Sequence, residues 1–399
     1  MMTERIDIMG FQFYMPSKLL FGKGQLNELG KQKLPGKKAL VVISAGKSIR
    51  SNGYLDRLLE QLKIAGVSYE IFDKIQPNPI EEHVMEGAVL AKSTGCDFVI
   101  GLGGGSTIDS AKAIAVMAAN DGVYWDYVSG GTGKGKPVQN APLPIVAITT
   151  TAGTGTEADP WAVITNGREK IGFGCFAPGH GTFPTLSVID PDLMLSVPKN
   201  LTAYQGFDAL FHSTEGYINV TASEMSDLFA LKAIELIGRN LTNAVRDGGD
   251  EDARAGVALA NTLAGIVEST SGCISMHSIE HGMSAHHPNL PHGAGLIMLS
   301  KEYYTFIANA DCCNDRLVDM AKALGKTDAK EAMDFVTALM DLQKACDVDQ
   351  LKMSDYGITK DELKEIAHNA RDNMGGLFEV DPCTIGHGDV VGILERSFQ

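Results

Sequence analysis

Short apolar runs alternate with helix-forming stretches over residues 1–190, and this alternation constrains the fold more than any other feature. The predicted strands are 39–43, 67–72, 97–101 and 145–148, and the predicted helices are 52–65, 80–93 and 107–119. A strand–helix rhythm predicts a parallel sheet with helices on both faces. Because the runs are apolar throughout, we expect the sheet to be buried on both sides.

The pattern changes after Pro191. Apolar residues then recur at spacings of three and four in 202–219, 222–245 and 252–271, and strand-like runs disappear. A chain of 399 residues also exceeds the usual size of a single core. We therefore predict a Rossmann-like α/β domain over residues 1–190 and an all-α domain over residues 191–399.

Composition excludes several kinds of partner. The net charge of −15 argues against nucleic acids and anionic membrane surfaces, which need basic patches. No apolar run approaches the ~20 residues that span a bilayer, and the N-terminal stretch, with Glu4 and Asp7, lacks a signal-peptide core. Seven scattered cysteines suit free thiols in a reducing compartment. We expect a cytoplasmic protein with neither a nucleic-acid nor a membrane partner.

A glycine-rich loop follows the third predicted strand. Residues 97–107 read D-F-V-I-G-L-G-G-G-S-T, so that a strand, consecutive glycines and a helix follow one another. Glycines allow close backbone approach, and a helix N-terminus offers free N–H groups to phosphate. The predicted dinucleotide contacts here are Gly103, Gly104, Gly105, Ser106 and Asp109. The alternative is an ordinary turn in which Ser106 and Asp109 cap the helix.

A second polar loop follows the strand at 145–148. It reads T-T-T-A-G-T-G-T-E over residues 149–157, and its small hydroxyl side chains suit contacts to phosphate, ribose or nicotinamide. The candidates are Thr150, Thr151, Thr154 and Thr156, and the alternative is a tight polar turn. Open α/β sheets bind ligands at the carboxyl ends of their strands, so the two loops support each other.

The end of the first predicted strand bears on the choice of cofactor. NAD-binding folds often place an acid there to hold the ribose 2′-hydroxyl. This chain instead continues I-S-A-G-K-S after Val42, without an acid. Ser44, Gly46 and Lys47 could accept a 2′-phosphate, which favours NADP(H) over NAD(H).

A cluster of histidines and one aspartate predicts a divalent-metal site. Asp208 and His212 lie four residues apart in G-F-D-A-L-F-H, which places them on one face of a helix, one turn apart. Six of the ten histidines fall between positions 212 and 292. His277 opens H-S-I-E-H and His292 lies in N-L-P-H-G. Each residue alone would more often be a cap or a solvent-facing side chain.

Together these motifs resemble the iron-containing (group III) alcohol dehydrogenase family, and the resemblance covers essentially the whole chain. The matching segments are G-G-G-S-T-I-D-S-A-K (103–112), T-T-A-G-T-G-T-E (150–157), D-P-D (190–192), G-F-D-A-L-F-H-S-T-E-G-Y (206–217), and H-S-I-E-H followed by P-H-G. The implied fold is dehydroquinate synthase-like, with a cleft between an N-terminal dinucleotide-binding domain and a C-terminal helical domain.

The resemblance also implies an activity and roles for residues. The implied metal ligands are Asp208, His212, His277 and His292. His281, one turn beyond the third ligand, becomes the candidate general acid/base, and Lys170 joins the cofactor contacts. The metal is expected to be Fe²⁺, although this ligand set also accepts Zn²⁺, Mn²⁺, Co²⁺ or Ni²⁺. The implied reaction is hydride transfer between a small alcohol, such as a primary alcohol or diol, or an aldehyde, and the nicotinamide. Family members form homo-oligomers, often dimers.

Two segments depart from the family pattern. The stretch from His277 to His292 is one residue longer than in the commonest members, and it contains His286 and His287, which we expect at the rim. An N-P-R-like motif is replaced by residues 381–383, D-P-C, which leaves a substrate contact there without support.

Other functions remain open from the sequence. Within the same superfamily they are a hydroxy-acid dehydrogenase, a glycerol-dehydrogenase-like enzyme and a dehydroquinate synthase, and the four-ligand pattern argues against the last two. Outside it, the alternative is a nucleotide- or metal-binding protein without turnover. The absorbance of the nicotinamide, followed with a panel of alcohols and aldehydes, separates turnover from binding alone.

Overall fold

A six-stranded parallel sheet forms the centre of the N-terminal part. The computed structural model describes residues 10–399. The sheet strands are β1 (Lys18–Phe21), β2 (Lys38–Ser44), β3 (Ser68–Ile75), β4 (Phe98–Gly103), β5 (Ile145–Thr149) and β8 (Leu186–Ile189), and a separate antiparallel hairpin comprises β6 (Ala162–Asn166) and β7 (Glu169–Phe173). The strand order is β1-β8-β5-β4-β2-β3, and every pairing in this sheet is parallel.

Helices cover the sheet and form the rest of the molecule. In the first part they are α1 (Ser48–Ser51), α2 (Tyr54–Ile64), α3 (Glu81–Thr94) and α4 (Gly105–Ala119). In the second part they are α5 (Lys199–Ile218), α6 (Glu224–Arg246), α7 (Glu251–Thr270), α8 (Ser275–His286), α9 (His292–Asn309), α10 (Asn314–Leu324), α11 (Met333–Ala345), α12 (Leu363–Met374) and α13 (His387–Ser397). Short 3₁₀ helices occupy Gln25–Lys31, Tyr124–Asp126, Pro191–Met194, Met353–Tyr356, Lys360–Glu362 and Gly375–Phe378.

The predicted fold class is confirmed: a parallel sheet with helices is followed by an all-helical part. The predicted strands and helices of the first part all form, with ends displaced by up to three residues. The sequence pattern does not predict β1, β6, β7 and β8. β1 and β8 are four residues each and pair with each other across more than 160 positions, so their pairing leaves no local signal. Residues of the hairpin alternate only partly between buried and half-buried positions.

The strand order creates a switch point at the carboxyl edge of the sheet. From β2 the chain forms β3 on one side and then crosses to form β4 on the other side of β2. In open α/β sheets, ligands bind in the crevice at such a reversal. Ser44 ends β2 and Gly103 ends β4, so the loops predicted to contact the dinucleotide begin on either side of this crevice.

Helix α5 is the centre of the helical part. Between residues 202 and 218 every residue except Gln205 is buried, and the helix packs against α6, α7 and α9. A helix buried on all sides has fixed side-chain positions, which suits a site that needs exact placement. Among the described residues no single helix has the length and apolarity to cross a membrane, while the bent pair α7 and α8 meets that test only when taken together.

Candidate active site

Four predicted metal-site residues converge in the helical part. Asp208 and His212 lie on α5, His277 lies on α8, and His292 is the first residue of α9. The Nε2 atoms of His212, His277 and His292 lie 3.7, 3.7 and 3.4 Å from Asp208 Oδ1. Three imidazoles and one carboxylate thus face a common point.

Each of the three imidazoles is held by an acceptor at its other nitrogen. His212 Nδ1 lies 3.2 Å from the carbonyl oxygen of Gly153. His277 Nδ1 lies 2.6 Å from Glu215 Oε1, and His292 Nδ1 contacts Glu280 Oε2. When Nδ1 donates to such acceptors, the Nε2 lone pair is left free for a metal ion.

The four residues fit a divalent metal ion. Asp208 Oδ1 and His277 Nε2 are buried and have no hydrogen-bond partner within the described chain, although buried polar atoms almost always have one. Bonds of about 2.1 Å in a tetrahedral arrangement place ligand atoms about 3.4 Å apart. The observed separations of 3.4–3.7 Å are close to this value, so an ion at the common point would satisfy both atoms.

The protonation states of Asp208 and His212 also suit a cation. Burial lowers the pKa of His212 to about 3, so its imidazole is neutral at neutral pH. Burial alone would raise the pKa of Asp208, but the neighbouring imidazoles outweigh burial and hold it below its ordinary value. The site therefore offers a carboxylate together with a free imidazole lone pair.

Two buried glutamates that support the histidines are not predicted by the sequence pattern. Glu215 lies on α5, two turns beyond Asp208, and Glu280 lies on α8, three residues after His277. Both side chains are fully buried. Helical spacing from a predicted ligand could have suggested them, but each of them contacts a histidine on a different helix.

Lys170, which is predicted to contact the cofactor, lies beside Glu280. Its Nζ donates to Ser284 Oγ at 2.9 Å and lies 3.8 Å from Glu280 Oε2. The positive charge of Lys170 thus offsets the negative charge of Glu280, the carboxylate that holds His292. Lys170 also lines the cavity described below.

His281 adjoins the four converging residues. Its ring centre lies 5.2 Å from that of His292, and its Nδ1 lies 2.9 Å from Met374 Sδ. Burial, followed by the positive charge of Lys170, holds the pKa of His281 well below its ordinary value. A thioether sulfur can only accept a hydrogen bond, so Nδ1 carries the proton of the neutral imidazole and Nε2 keeps the lone pair that can accept a further proton.

The glycine loop forms the N-terminus of α4. Gly104 is the residue before the helix, and no side chain caps it. The alternative of a helix capped by Ser106 and Asp109 is therefore wrong. The two carboxylate oxygens of Asp109 instead accept hydrogen bonds from Thr156 Oγ1 at 2.7 Å and from the backbone N–H of Val163 at 3.0 Å. Within residues 10–399, no side chain accepts a hydrogen bond from the first backbone N–H groups of α4.

The glycine loop and the threonine loop are packed against each other. A Cβ atom at Gly105 would lie 2.4 Å from Thr154, and one at Gly104 would lie 3.0 Å from Thr151. Gly103 pairs with Thr149, and the backbone N–H of Thr150 donates to the carbonyl of Gly103 at 2.9 Å. The glycines are required for this close packing, which joins both loops into one surface.

A cavity of about 770 Å³ connects this surface with the histidine cluster. The predicted site residues that line it are Ser106, Asp109, Thr154, Thr156, Lys170, Asp208, His212, His277, His281 and His292. Those that lie outside its lining are Ser44, Gly46, Lys47, Gly103, Gly104, Gly105, Thr150 and Thr151. The latter lie in or next to the loops at the carboxyl ends of β2, β4 and β5, beside the switch point.

A ligand crevice at the switch point of a parallel sheet, next to a centre of three imidazoles and one carboxylate, is the architecture of a metal-dependent dehydrogenase. Comparisons with known proteins agree. The model of the iron-containing alcohol dehydrogenase family matches residues 16–191, and that of the family's C-terminal part matches residues 202–398.

Relatives and solved structures match over nearly the whole chain. Alcohol dehydrogenase 4 of Schizosaccharomyces pombe is 34% identical over 96% of this chain and 88% of its own length. NAD-dependent methanol dehydrogenase of Bacillus methanolicus is 32% identical over 91% of this chain and 93% of its own. The structure of an archaeal halo-thermophilic alcohol dehydrogenase from a Red Sea brine pool superposes with a TM-score of 0.91, at 32% identity, over 98% of this chain and 99% of its own.

The chain belongs to the iron-containing alcohol dehydrogenase family. It is an oxidoreductase that exchanges hydride between an alcohol or aldehyde and a nicotinamide dinucleotide, with a divalent metal ion in its active site. This membership favours the dehydrogenase over the nucleotide-binding protein without turnover.

Proposed function

We propose that the reaction takes place at Asp208, His212, His277 and His292, on a small primary alcohol or diol or the corresponding aldehyde. The observation that carries the proposal is the convergence of three Nε2 atoms on Asp208 Oδ1. The convergence lies in a cavity that also reaches the N-terminus of α4. Alcohol, metal ion and dinucleotide would therefore meet within one enclosure.

The four residues would hold Fe²⁺ in the first instance, with Zn²⁺, Mn²⁺, Co²⁺ and Ni²⁺ as alternatives. Three neutral imidazoles and one carboxylate leave a net charge of about +1 on a divalent ion. When bound, the ion polarises an alcohol or carbonyl oxygen, and the nicotinamide accepts or supplies the hydride. Glu215 and Glu280 keep His277 and His292 oriented toward the ion.

His281 is the proposed general acid/base. Because its Nδ1 faces Met374 Sδ, the proton of the substrate hydroxyl would be exchanged at Nε2. The imidazole lies in the cavity beside His292, within the space that the substrate must occupy. Positioned acid/base groups of this kind contribute about 10²–10⁴-fold to rate.

The dinucleotide pyrophosphate is proposed to bind where Gly103, Gly104, Gly105 and Ser106 form the start of α4, since free N–H groups and the helix dipole favour anions. The neighbouring Thr150, Thr151 and Thr154 would contact ribose or nicotinamide. Asp109 and Thr156 bond each other, so their contribution is to shape the wall of the cavity.

NADP(H) is the proposed preferred cofactor. Ser44 ends β2, and the turn that follows it contains Gly46 and Lys47 and carries no acid that would repel a 2′-phosphate. Arg50, on α1 directly after this turn, adds a second cation, although it is paired with Asp73 at 2.8 Å. The expected result is a kcat/KM for NADPH at least equal to that for NADH. A strong preference for NADH in side-by-side measurements would contradict it.

The proposal also covers the oligomeric state, the cellular location and the domain boundary. The open edge of β1 and the exposed side chains of Phe11 and Tyr14 support a homodimer, which light scattering coupled to gel filtration would test. The free thiols of all seven cysteines support a cytoplasmic location. The domain boundary is proposed near residue 190, between β8 and α5.

The test of the proposed function combines metal analysis with an activity screen. The purified protein is expected to hold one divalent ion per chain and to oxidise short alcohols with NADP⁺ or NAD⁺. His212→Ala is expected to lose both bound metal and activity, whereas Glu395→Gln, on the exposed face of α13, is expected to keep both. Full activity and full metal content in His212→Ala would exclude this site.

A further inference from the structure

Three thiol groups that the proposed mechanism does not use lie together in the helical part. Cys312 and Cys313 are in the turn between α9 and α10, and Cys383 ends the D-P-C segment before α13. Cys312 Sγ lies 3.9 Å from Cys313 Sγ and also shares a hydrogen bond with the thiol of Cys383. Cys312 is exposed, whereas the other two are half-buried. An exposed thiol thus contacts a thiol from a distant part of the chain.

The other four cysteines contact groups that are not thiols. Cys96, Cys175 and Cys346 each contact a threonine hydroxyl, and Cys273 contacts a carboxyl group. A disulfide requires two neighbouring thiols, since its sulfur atoms are only about 2 Å apart. Oxidation of this chain to a disulfide is therefore directed to the three thiols that contact one another.

Cys312 and Cys383 are the two of these three that can be joined. The Cα atoms of adjacent residues such as Cys312 and Cys313 are about 3.8 Å apart, whereas disulfides usually need about 4.4–6.8 Å. Cys383 comes from another segment, and both segments are bends outside the helices. Their backbone can therefore adjust to the bond without breaking a helix.

The different exposure of the two thiols gives them different roles in oxidation. Cys312 is exposed, so a dissolved peroxide reaches it first. Burial, followed by the neighbouring Cys312, raises the pKa of Cys383 to about 12, and a protonated thiol reacts little on its own. A peroxide R–O–O–H oxidises Cys312 to the sulfenic acid and is reduced to R–O–H. The sulfur of Cys383 then attacks the sulfenic sulfur, which releases water and forms the disulfide.

The D-P-C segment links these thiols to the helix that carries two histidines of the proposed site. Asp381, two residues before Cys383, accepts the backbone N–H of Ser275 at the start of α8 at 3.1 Å. The preceding residue, Val380, lines the cavity, and its carbonyl accepts the backbone N–H of Val220 at 3.1 Å. A covalent bond to the turn after α9 draws this segment toward that turn, so the N-terminus of α8 loses its acceptor.

We propose that Cys312 and Cys383 form a reversible disulfide in the presence of peroxides, and that this bond slows turnover through the D-P-C segment. In reducing compartments disulfides are transient, and they are catalytic or sense oxidants. Reduction restores both thiols and, with them, the acceptor at α8. The effect on turnover rests on the proposed function, because it acts through α8, whereas formation of the disulfide does not depend on it.

The experiment treats the metal-loaded wild type, Cys312→Ser and Cys383→Ser with hydrogen peroxide. Peptide mapping by mass spectrometry is expected to show a disulfide between positions 312 and 383 in the wild type, which dithiothreitol removes. The kcat for an alcohol is expected to fall by about tenfold, the lower end of what partners of metal ligands contribute, and to recover on reduction. Both variants are expected to lack this reversible loss.

The variants also separate oxidation of the thiols from oxidation of the metal ion. Peroxide that acts on the ion lowers the activity of all proteins alike, so only the loss that both serine variants lack reports the disulfide. Cys175→Ser removes another half-buried thiol and is the control, which is expected to behave as the wild type does.

A bond between positions 312 and 313 would overturn the assignment, as would irreversible oxidation without a disulfide. A disulfide between positions 312 and 383 that leaves kcat unchanged would overturn the link to α8. If the reduced wild type oxidises no alcohol, the proposed function fails, and peptide mapping still decides whether the disulfide forms.

Discussion

Glu215 shows how one buried side chain can hold a proposed metal ligand, His277, in place. Its Oε1 accepts the Nδ1–H of His277 at 2.6 Å, and its Oε2 accepts the backbone N–H of Ile274 at 2.9 Å. The carboxylate therefore selects the imidazole tautomer and also holds the chain just before α8. Partners of this kind orient a ligand and raise its basicity.

Glu215→Gln is expected to lower metal affinity by about 10–100-fold. The amide is nearly the same size as the carboxylate, but it accepts hydrogen bonds at only one atom. It also carries no negative charge to stabilise the ring of His277. Titration of the metal-free protein with Zn²⁺ against a chromophoric chelator measures the change. The exposed Glu395→Gln serves as the matched control, and equal affinity in the two variants would contradict the role given to Glu215.

At the scale of residues, the sequence predicted which four residues converge, but not the glutamates that hold them. The four-residue spacing of Asp208 and His212 is a property of one helix, so it can be read locally. Glu215 and Glu280 acquire their roles from contacts between helices, which local spacing does not encode. The turn between α8 and His292 is closed by the backbone N–H of Leu290, which donates to the carbonyl of His287.

At the scale of elements, α8 depends on a distant residue for its N-terminus. Ile274, the residue before the helix, offers no side-chain cap. Asp381 supplies the missing acceptor, because its Oδ1 accepts the backbone N–H of Ser275 at 3.1 Å and the hydroxyl of Tyr303 at 3.0 Å. The D-P-C segment thus supports the helix that carries His277 and His281. Without this acceptor, the buried N–H group of Ser275 would lack a partner, which would destabilise the folded protein.

Asp381→Asn is expected to change the pH dependence of stability. Burial raises the pKa of Asp381 from 3.8 to about 7, so the folded protein binds its proton more tightly than the unfolded chain does. The resulting stabilisation is complete below pH 3.8 and is lost as the pH rises to about 7. Asparagine keeps the accepting oxygen and has no charge to ionise. The stability of the variant relative to the wild type should therefore rise with pH over this window, by about 2–4 kcal/mol.

Urea unfolding at several pH values between 4 and 8 checks this prediction at Asp381. The exposed Asp341→Asn, on α11, is the control and should follow the wild type at every pH. A constant difference between Asp381→Asn and the wild type would show that Asp381 does not carry the pH dependence.

The sequence predicted elements well where their signal was local and poorly where it was not. The apolar runs of β2 and β4 are buried on both faces, so composition alone marks them as strands. The edge strand β1 and the strands β6 and β7 of the hairpin are short. They form because they pair with other strands, and the local hydrophobic pattern does not encode that pairing. The hairpin matters for the site, because Lys170 lies on β7.

At the scale of the whole molecule, the active site joins parts that are far apart in the chain. The dinucleotide loops come from the sheet, while the metal-site residues come from α5, α8 and α9. Their common cavity therefore exists only when both parts are folded and packed together. A metal ion bound at this place would link three helices and stabilise the folded state over the unfolded one.

Removal of the metal ion is therefore expected to lower the melting temperature of the protein. At a free concentration 100 times its dissociation constant, an ion adds about 2.7 kcal/mol, which corresponds to roughly 5–10 °C for a helical domain of this size. Calorimetry of the chelator-treated protein, with and without added Zn²⁺, measures the effect independently of activity. Asp208→Asn removes the carboxylate on which the three imidazoles converge, so its melting temperature should respond little to Zn²⁺. An equal rise in this variant would mean that the stabilising ion binds elsewhere in the molecule.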